Sequence, residues 1–295
     1  MKRLIINADD FGLTLGVNHA IREAHENGIL TSATLMASGA AFSNAVEISR
    51  STPQLSVGCH IVLIDGSPVL DPARVPSLVN GKSLEFRSGI NNFAIQSFFG
   101  RLNENEIEAE ATAQIRKLQS AGVVVSHIDT HKHTHIFPRV LRPLLHAAKV
   151  CGVKAVRNPF EPIRMSLFVQ RPSLWKRLAQ VKLLGNFSQI FHDSIKEAGM
   201  VSPDGSLSIA ATGAVDEKLF RSMLENIPEG TWEFVSHPGY NDPELQTVRT
   251  RLRESRAQEL NILTSAAARE IIASSGIELI SYRDLAGNWP KTAVF

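Results

Sequence analysis

The chain has 295 residues, 43% of them hydrophobic and 20% charged, which is typical of a globular protein with a substantial core. Its formal net charge of only +2 argues against the concentrated basic surface that binding to nucleic acid requires. The two cysteines, Cys59 and Cys151, have neither zinc-ribbon nor redox spacing, so we expect buried, reduced side chains. The sequence shows no signal-peptide pattern and no apolar run of about 20 residues that would span a bilayer. We therefore expect a cytoplasmic protein.

Short apolar strands alternate with amphipathic helices along the chain. Predicted strands cover residues 4–6, 33–36, 56–63, 123–128, 155–156, 232–235 and 277–280. Predicted helices cover residues 17–27, 41–50, 104–120, 139–151, 216–225 and 253–274. Repeated strand–helix–strand units require parallel strands and right-handed crossovers, which leaves a (β/α) barrel or a doubly wound sheet.

Two insertions interrupt this alternation. Residues 65–101 are rich in proline, glycine and then phenylalanine, which predicts a long loop with short helical pieces. Residues 159–199 form the second insertion. Long loops on the catalytic face of a barrel usually shape the substrate pocket. We predict one (β/α)-barrel domain over residues 1–295, with insertions near 65–101 and 159–199.

Polar residues follow the ends of five different predicted strands: Asp9 and Asp10, His60, His131, Arg157 and His237. In a barrel the carboxyl ends of all strands lie on one face, where active sites are found, whereas an open sheet would spread them along an edge. These residues therefore favour an α/β fold that is a distorted, TIM-like (β/α) barrel of seven or eight strands. The active site is expected at the carboxyl ends of the strands.

Asp9 and Asp10 are adjacent carboxylates at the end of a buried strand. Their mutual repulsion and their burial are both costly, and a nearby cation relieves both. The pair therefore predicts a metal site in which one aspartate is a ligand and the other is free to act as a base. The residue pattern alone leaves open which aspartate has which role.

Histidines are concentrated in one later segment. Along an extended chain, five alternate residues would share one side: His127, Asp129, His131, His133 and His135. Their span exceeds one coordination sphere, so we expect one or two ligands, with the others hydrogen-bonding the ligands or the substrate. A lone histidine such as His60 would more often be a hydrogen-bonded core residue. It becomes a candidate metal ligand because the other candidate ligands are present in the same chain. Mixed imidazole and carboxylate ligands suit a divalent ion with a free position for water.

Four motifs together resemble the YdjC/ChbG carbohydrate deacetylases: Asn-Ala-Asp-Asp-Phe-Gly at 7–12, Gly-Cys-His at 58–60, the histidine-rich run at 127–135, and Ser-His-Pro-Gly-Tyr at 236–240. That family removes acetyl groups from N-acetylated sugars, using a divalent ion on a distorted (β/α) barrel. Within it, the chain resembles the hopanoid-associated branch, HpnK, more than the chitooligosaccharide enzymes. This second likeness lies in three places: Asp65-Gly66-x-Pro68-Val69-Leu70, Phe98-Phe99, and His131-Lys132-His133-x-His135.

The resemblance implies three ligands of one divalent ion: Asp10, His60 and His131. Such ligands accommodate zinc, magnesium, manganese or cobalt, and we expect magnesium or zinc, with the identity of the ion left open. It further implies that Asp9 is the general base and His237 the general acid. Arg157 would orient the base, as in the broader polysaccharide deacetylases. The implied reaction is hydrolysis of the N-acetyl group of an amino sugar, either an oligosaccharide or a hopanoid-linked glucosamine, with release of acetate.

Two other classes of function stay open at this stage. A metal-dependent phosphoesterase or amidohydrolase on a barrel would use similar side chains, and a non-catalytic sugar-binding or metal-binding module would keep the ligands. Such a module would not need both Asp9 and His237. The expected partner is an N-acetylated sugar. A lipid-linked sugar, a peripheral contact with the inner membrane and a homodimer also stay open.

Residues 174–184 predict an amphipathic helix inside the second insertion. Its apolar stripe consists of Leu174, Leu178, Val181 and Leu184, and its basic residues off that stripe are Lys176, Arg177 and Lys182. From the sequence alone the expected outcome is packing on the barrel. The HpnK likeness favours a helix in the lipid headgroup plane, because a hopanoid-linked sugar would be presented at a membrane.

Overall fold

A computed structural model describes residues 1–162 and 171–287. Its sheet contains eight parallel strands: β1 (Lys2–Phe11), β2 (Ser32–Leu35), β3 (Ser56–Ile61), β4 (His127–Thr130), β5 (Ala155–Val156), β6 (Gly205–Leu207), β7 (Gly230–Ser236) and β8 (Ile277–Leu279). The α-helices of the described residues are α1 (Leu15–Glu26), α2 (Phe42–Ser51), α3 (Ile90–Phe98), α4 (Glu104–Ser120), α5 (Pro138–Val150), α6 (Trp175–Leu184), α7 (Ser188–Ala198), α8 (Glu217–Glu225), α9 (Pro243–Thr247), α10 (Glu254–Thr264), α11 (Ala266–Ser274) and α12 (Tyr282–Leu285).

The strand order is β5-β4-β3-β2-β1-β7-β6, and β8 pairs with β1 outside this path. Strands β2 and β8 share one edge of β1, because β8 pairs with its first residues and β2 with its last. The two outer strands approach each other through irregular backbone. The Val201 amide donates to the Lys154 carbonyl at 2.9 Å, and the Ser206 amide donates to the Phe160 carbonyl at 3.0 Å. The sheet thus curls into a distorted barrel, which confirms the predicted fold class.

Several element boundaries differ from the prediction. Strand β4 covers His127–Thr130 instead of 123–128, and the short strand β6 was not predicted. The single helix predicted over 253–274 is wrong. It is divided at Ser265, whose extended backbone ends α10 and whose hydroxyl accepts the Ala268 amide as the N-cap of α11. Serine competes with helix geometry in this way through its side chain, so the break follows from capping chemistry.

A β-bulge lies at the end of β1. The register with β2 pairs Ala8 with Ala33 and Phe11 with Leu35, so that Asp9 and Asp10 together face one residue of the neighbouring strand. Successive side chains of a regular strand point to opposite faces, and a bulge can redirect one of them. Asp10 has φ +65°, in the left-handed region. As a result, both carboxylates line the same cavity.

The insertion at 65–101 contains a 3₁₀ turn at Pro72–Arg74, an antiparallel bridge between Val79 and Phe86, and helix α3. It is therefore a long loop with short helical pieces, as predicted. In the insertion at 159–199, residues 163–170 lie outside the described residues, and α6 and α7 follow them.

Helix α6 packs on the barrel through part of its predicted stripe. Leu174 and Leu178 belong to the main hydrophobic core, and Val181 packs against it. Arg177 donates to the Thr212 carbonyl at 2.7 Å, so this basic residue is held by the protein. Within the described ranges, no helix is both long and apolar enough to cross a membrane. A single domain stays a prediction.

Candidate active site

A cavity of about 680 Å³ opens at the carboxyl ends of the strands. Its lining includes five of the six residues singled out in the sequence: Asp9, Asp10, His60, His131 and His237. The sixth, Arg157, lies beneath them and is fully buried. The structure thus brings together side chains that are up to 228 residues apart in the sequence.

Asp10, His60 and His131 form a compact group that is suited to one cation. Asp10 Oδ1 lies 3.6 Å from His60 Nε2 and 3.5 Å from His131 Nδ1, and the two histidine nitrogens are 3.4 Å apart. Ligands bound tetrahedrally at about 2.0–2.2 Å from a zinc ion would be separated by roughly 3.3–3.6 Å. The donor set and its spacing therefore fit a divalent ion, and these three residues would hold it.

Asp129 orients the first histidine of this group. Its Oδ1 lies 2.8 Å from His60 Nδ1, and its Oδ2 accepts a hydrogen bond from Thr34 Oγ1 at 3.1 Å. A carboxylate on the far nitrogen fixes the tautomer that leaves His60 Nε2 free as a ligand. Burial disfavours protonation of His60. The negative charges of Asp129, Asp9 and Asp10 outweigh this effect and raise the pKa of His60 to about 9. An ion at Nε2 would compete with that proton.

A second group, Asp9, His60 and Asp129, has similar spacing but already has a cation. Arg157 Nη1 lies 2.8 Å from Asp9 Oδ2 and 2.5 Å from Asp129 Oδ2. The guanidinium compensates both carboxylates, and His60 Nδ1 is occupied by Asp129. A metal ion there would have to displace these contacts, whereas Asp10 is bound by Arg256 through Oδ2 and faces the two histidines through Oδ1, so the group that contains Asp10 is the candidate metal site.

Arg157 also fixes the orientation of Asp9. Its Nη1 and Nη2 donate to the two oxygens of Asp9 at 2.8 and 2.6 Å, and its Nε donates to Glu233 at 2.9 Å. Burial favours the neutral form of Asp9, but the charges of Arg157 and then His60 outweigh it and hold the pKa well below its usual range. Asp9 is consequently ionised and held in one orientation.

The floor of the site is a second layer of buried groups. Tyr282 donates its hydroxyl to Glu233 at 2.6 Å, and its ring stacks on His127 with centroids 3.5 Å apart. The His127 ring in turn lies against the backbone of Gly58, where an added Cβ would be only 2.5 Å from ring atoms. His127 is therefore a packing residue. Gly58 thus allows the His127 ring to lie directly against the backbone of β3.

The predicted alternation of side chains from 127 to 135 is wrong beyond Thr130. The chain turns there into a 3₁₀ segment, His131–Ile136, in which Lys132 and His133 have φ of 55° and 53°. The turn directs the His131 side chain toward Asp10 and His60. His135 points elsewhere, with Nδ1 2.6 Å from Thr130 Oγ1 and Nε2 3.2 Å from the Arg157 carbonyl.

His237 lies beside Asp9, with Nε2 3.8 Å from Asp9 Oδ2. Its amide donates to Glu259 at 2.6 Å, and its Nδ1 has no hydrogen-bond partner among the described residues. Burial lowers the pKa of His237 to about 4, although the charges of Asp9 and Asp10 oppose the shift. The imidazole is therefore neutral at neutral pH in the metal-free protein.

Residues that the sequence analysis missed complete the site. Arg256, on α10, is almost fully buried and donates from Nη2 to Asp10 Oδ2 at 2.5 Å. Glu233 shares Arg157 with Asp9. A glutamate between Trp232 and Phe234 in an apolar strand is a signal of a paired buried charge, and it could have been noticed. Arg256 stands in an arginine-rich run that gives no such signal.

Comparison with known proteins shows similarity over nearly the whole chain. The sequence profile of the family described as YdjC-like protein matches residues 3–274. A carbohydrate deacetylase of Geobacillus stearothermophilus is 33% identical over 281 residues, covering 95% of this chain and 96% of the relative. One from Brevibacillus brevis is 31% identical, covering 96% and 99%. The crystal structure of an Enterococcus faecalis V583 protein named for cellobiose-phosphate cleavage has a TM-score of 0.78 at 29% identity, covering 97% and 99%. The chain belongs to the YdjC-like protein family.

Proposed function

We propose that this protein is a metal-dependent carbohydrate deacetylase that hydrolyses the N-acetyl group of an amino sugar. One juxtaposition carries the proposal. Asp10, His60 and His131 have the spacing of ligands of a single ion, and the ionised Asp9 lies next to them. His237 in turn lies beside Asp9. The names of the Geobacillus and Brevibacillus relatives support a carbohydrate deacetylase. A binding module without catalysis would not need both Asp9 and His237.

A divalent ion held by Asp10, His60 and His131 would supply Lewis acidity to the acetamide carbonyl and to the attacking water. Two imidazole ligands suit zinc better than magnesium, which prefers oxygen ligands and keeps much of its water. We therefore propose zinc before magnesium.

Asp9 is the proposed general base. Arg157 donates to both of its oxygens and so keeps the carboxylate ionised and oriented. Asp9 takes a proton from the water as its oxygen attacks the acetyl carbon. His237, neutral at rest, lies 3.8 Å from Asp9, so that proton reaches the imidazole through one intervening water, and His237 delivers it to the leaving nitrogen. The C–N bond breaks, and the products are acetate and the free amine.

The finer substrate proposal is a lipid-linked amino sugar, as in the HpnK branch. A second cavity of about 490 Å³ is lined mainly by apolar side chains, including Phe98, Phe99, Phe137 and Phe187. Helix α3 joins the two cavities, because Ile90 at its start lines the first and Phe98 at its end lines the second. Phe98 and Phe99 are 77% and 65% exposed. An apolar aglycone bound in this cavity would bury the exposed surface of the two phenylalanines. Peripheral contact with a membrane and a homodimer stay proposals.

Release of acetate from N-acetylglucosaminides, measured with and without added zinc or magnesium, tests the function. Turnover that needs the ion supports the proposal. Release of phosphate from sugar phosphates without release of acetate would favour a phosphoesterase instead.

A long-chain alkyl glycoside, compared with a chitooligosaccharide, tests the lipid-linked substrate. Changing Phe98 and Phe99 together to serine should raise KM for the alkyl glycoside and leave the oligosaccharide unaffected. Val124→Ser is the matched control, because Val124 is 74% exposed and does not line either cavity. Equal effects on both substrates would refute the aglycone site.

Membrane contact is tested separately by co-sedimentation with anionic vesicles. A variant with Lys176 and Lys182 changed to glutamate should bind less than the wild type. Arg177 is left unchanged because it holds the Thr212 carbonyl. Equal recovery of both proteins in the supernatant would refute membrane contact.

A further inference from the structure

An ion pair closes one side of the mouth of the cavity. Lys132 Nζ lies 2.6 Å from Asp65 Oδ2, and both residues line the cavity. The two are 67 residues apart, Asp65 in the insertion that follows β3 and Lys132 directly after His131. We propose that Asp65 is a positioning residue that acts through Lys132 to hold His131 toward Asp10 and His60. The inference rests on the metal site of the proposed function.

The turn that carries His131 is unfavourable without outside support. Lys132 and His133 are consecutive residues with side chains in the left-handed region, at φ 55° and 53°. L-residues other than glycine avoid this region, and two in succession are uncommon. His131 is also the least enclosed of the three candidate ligands, with a side chain 23% exposed against 1% for His60 and 6% for Asp10. Local packing therefore constrains it least.

Support reaches this turn from two sides. On its far side, the Thr130 hydroxyl accepts the His135 amide at 3.0 Å, which closes the loop of backbone. On the cavity side, His131 itself lies against Asp10 and His60, and the neighbouring Lys132 is bonded to Asp65. Losing the bond between Lys132 and Asp65 would remove one support of the left-handed pair, so that the backbone could relax and His131 could rotate with it.

Asp65 is held by hydrogen bonds of its own, although its backbone also lies in the left-handed region, at φ +55°. Its Oδ1 accepts the Gly89 amide at 3.2 Å, and its own amide donates to the Arg87 carbonyl at 3.4 Å. Its side chain is 15% exposed. Burial favours the neutral carboxyl, but the hydrogen bond and charge of Lys132 outweigh it and lower the pKa of Asp65. Surface ion pairs contribute little when both partners are mobile; here the Lys132 side chain is 43% exposed, but Asp65 is held by two further hydrogen bonds.

The first test is the affinity of the purified, metal-free protein for Zn²⁺, measured by competition with a chelator. Asp65→Asn keeps the size of the side chain and the bond to Gly89 but removes the charge. We expect the variant to bind Zn²⁺ about tenfold more weakly. This is the lower end of the loss in affinity that follows when a residue supporting a metal ligand is removed. A weaker visible absorption of bound Co²⁺ should accompany it, since that spectrum reports ligand geometry. Glu108→Gln is the control, because the pair of Glu108 and His146 is a surface contact at 2.7 Å between residues that do not line the cavity.

Rescue provides the second test. Glycine adopts left-handed backbone without strain, so Lys132→Gly should bind Zn²⁺ within about threefold of wild type. Asp65→Asn should then add no further loss in that background. Unchanged affinity in Asp65→Asn alone, or an undiminished loss in the Lys132→Gly background, would overturn the inference.

His131→Ala distinguishes failure of the inference from failure of the metal site. It should abolish Zn²⁺ binding, and full binding by this variant would overturn the proposed ligand set itself. Thermal unfolding of the metal-free variants excludes misfolding as the cause of lost affinity, and Asp65→Asn is expected to lower the melting temperature only slightly, because a partly exposed ion pair contributes little to stability.

Discussion

Replacing Asp9 with asparagine separates the roles of the two adjacent carboxylates. The bulge in β1 lets both face the cavity, yet their partners differ: Asp9 faces Arg157, and Asp10 faces the two candidate histidine ligands. The Asp9→Asn protein should keep its metal ion, because no ligand of the proposed site is changed. Its turnover should fall by roughly 10²–10⁴-fold, the usual contribution of a positioned base.

The cost in stability follows from the contacts of Arg157. After Asp9→Asn, the guanidinium still contacts Asp129 at 2.5 Å and Glu233 at 2.8 Å, so no buried charge is left alone. The loss is limited to charge-assisted hydrogen bonds, and one of them is retained by the asparagine oxygen. We therefore expect the free energy of unfolding to fall by about 1–3 kcal/mol.

Three measurements check this prediction: acetate release, metal content after dialysis against metal-free buffer, and urea unfolding of the metal-free protein. Asp10→Asn is the matched control, the same substitution one residue later, and it should lose the ion and the activity together. Loss of the ion from Asp9→Asn with its retention by Asp10→Asn would mean that the roles are exchanged. Undiminished turnover by Asp9→Asn would refute its role as the base.

Arg157→Met should lower the free energy of unfolding by at least about 3–5 kcal/mol in urea, because three buried carboxylates lose their shared cation; a change below 1 kcal/mol would show that they are neutral in the folded protein. Gly58→Ala should cost about 1–3 kcal/mol, because its Cβ would overlap the His127 ring; Gly185→Ala, which meets no atom within 4 Å, should not lower the melting temperature. Burial raises the pKa of Glu259 from 4.5 to about 7, so the folded protein binds this proton more tightly than the unfolded chain. The stability that Glu259 contributes should be fully present below pH 4.5 and lost as the pH rises through 7. The difference in unfolding free energy between wild type and Glu259→Gln, measured as a function of pH, should fall over the same range.

The sequence was sufficient for features that follow from periodicity and chain order. Alternating strands and helices indicated the barrel, and the polar residues after each strand identified the face on which Asp10, His60 and His131 meet. Features that depend on long-range context were not accessible. The left-handed backbone at Asp10 and Lys132 contradicts the preference of those residues and is imposed by tertiary contacts. The position of Arg256 depends on how α10 packs, which no local pattern specifies.

The buried contact between Tyr282 and Glu233 has a consequence for how the protein is made. All three candidate ligands precede residue 132 in the chain, whereas the floor beneath them is complete only when Tyr282 reaches it. At a synthesis rate of about 5–20 residues per second, the ligands would leave the ribosome about 8–30 s before that tyrosine. During most of this interval β1, the strand that carries Asp10, lacks its neighbours β7 and β8. Capture of the ion is therefore expected to follow synthesis of the barrel.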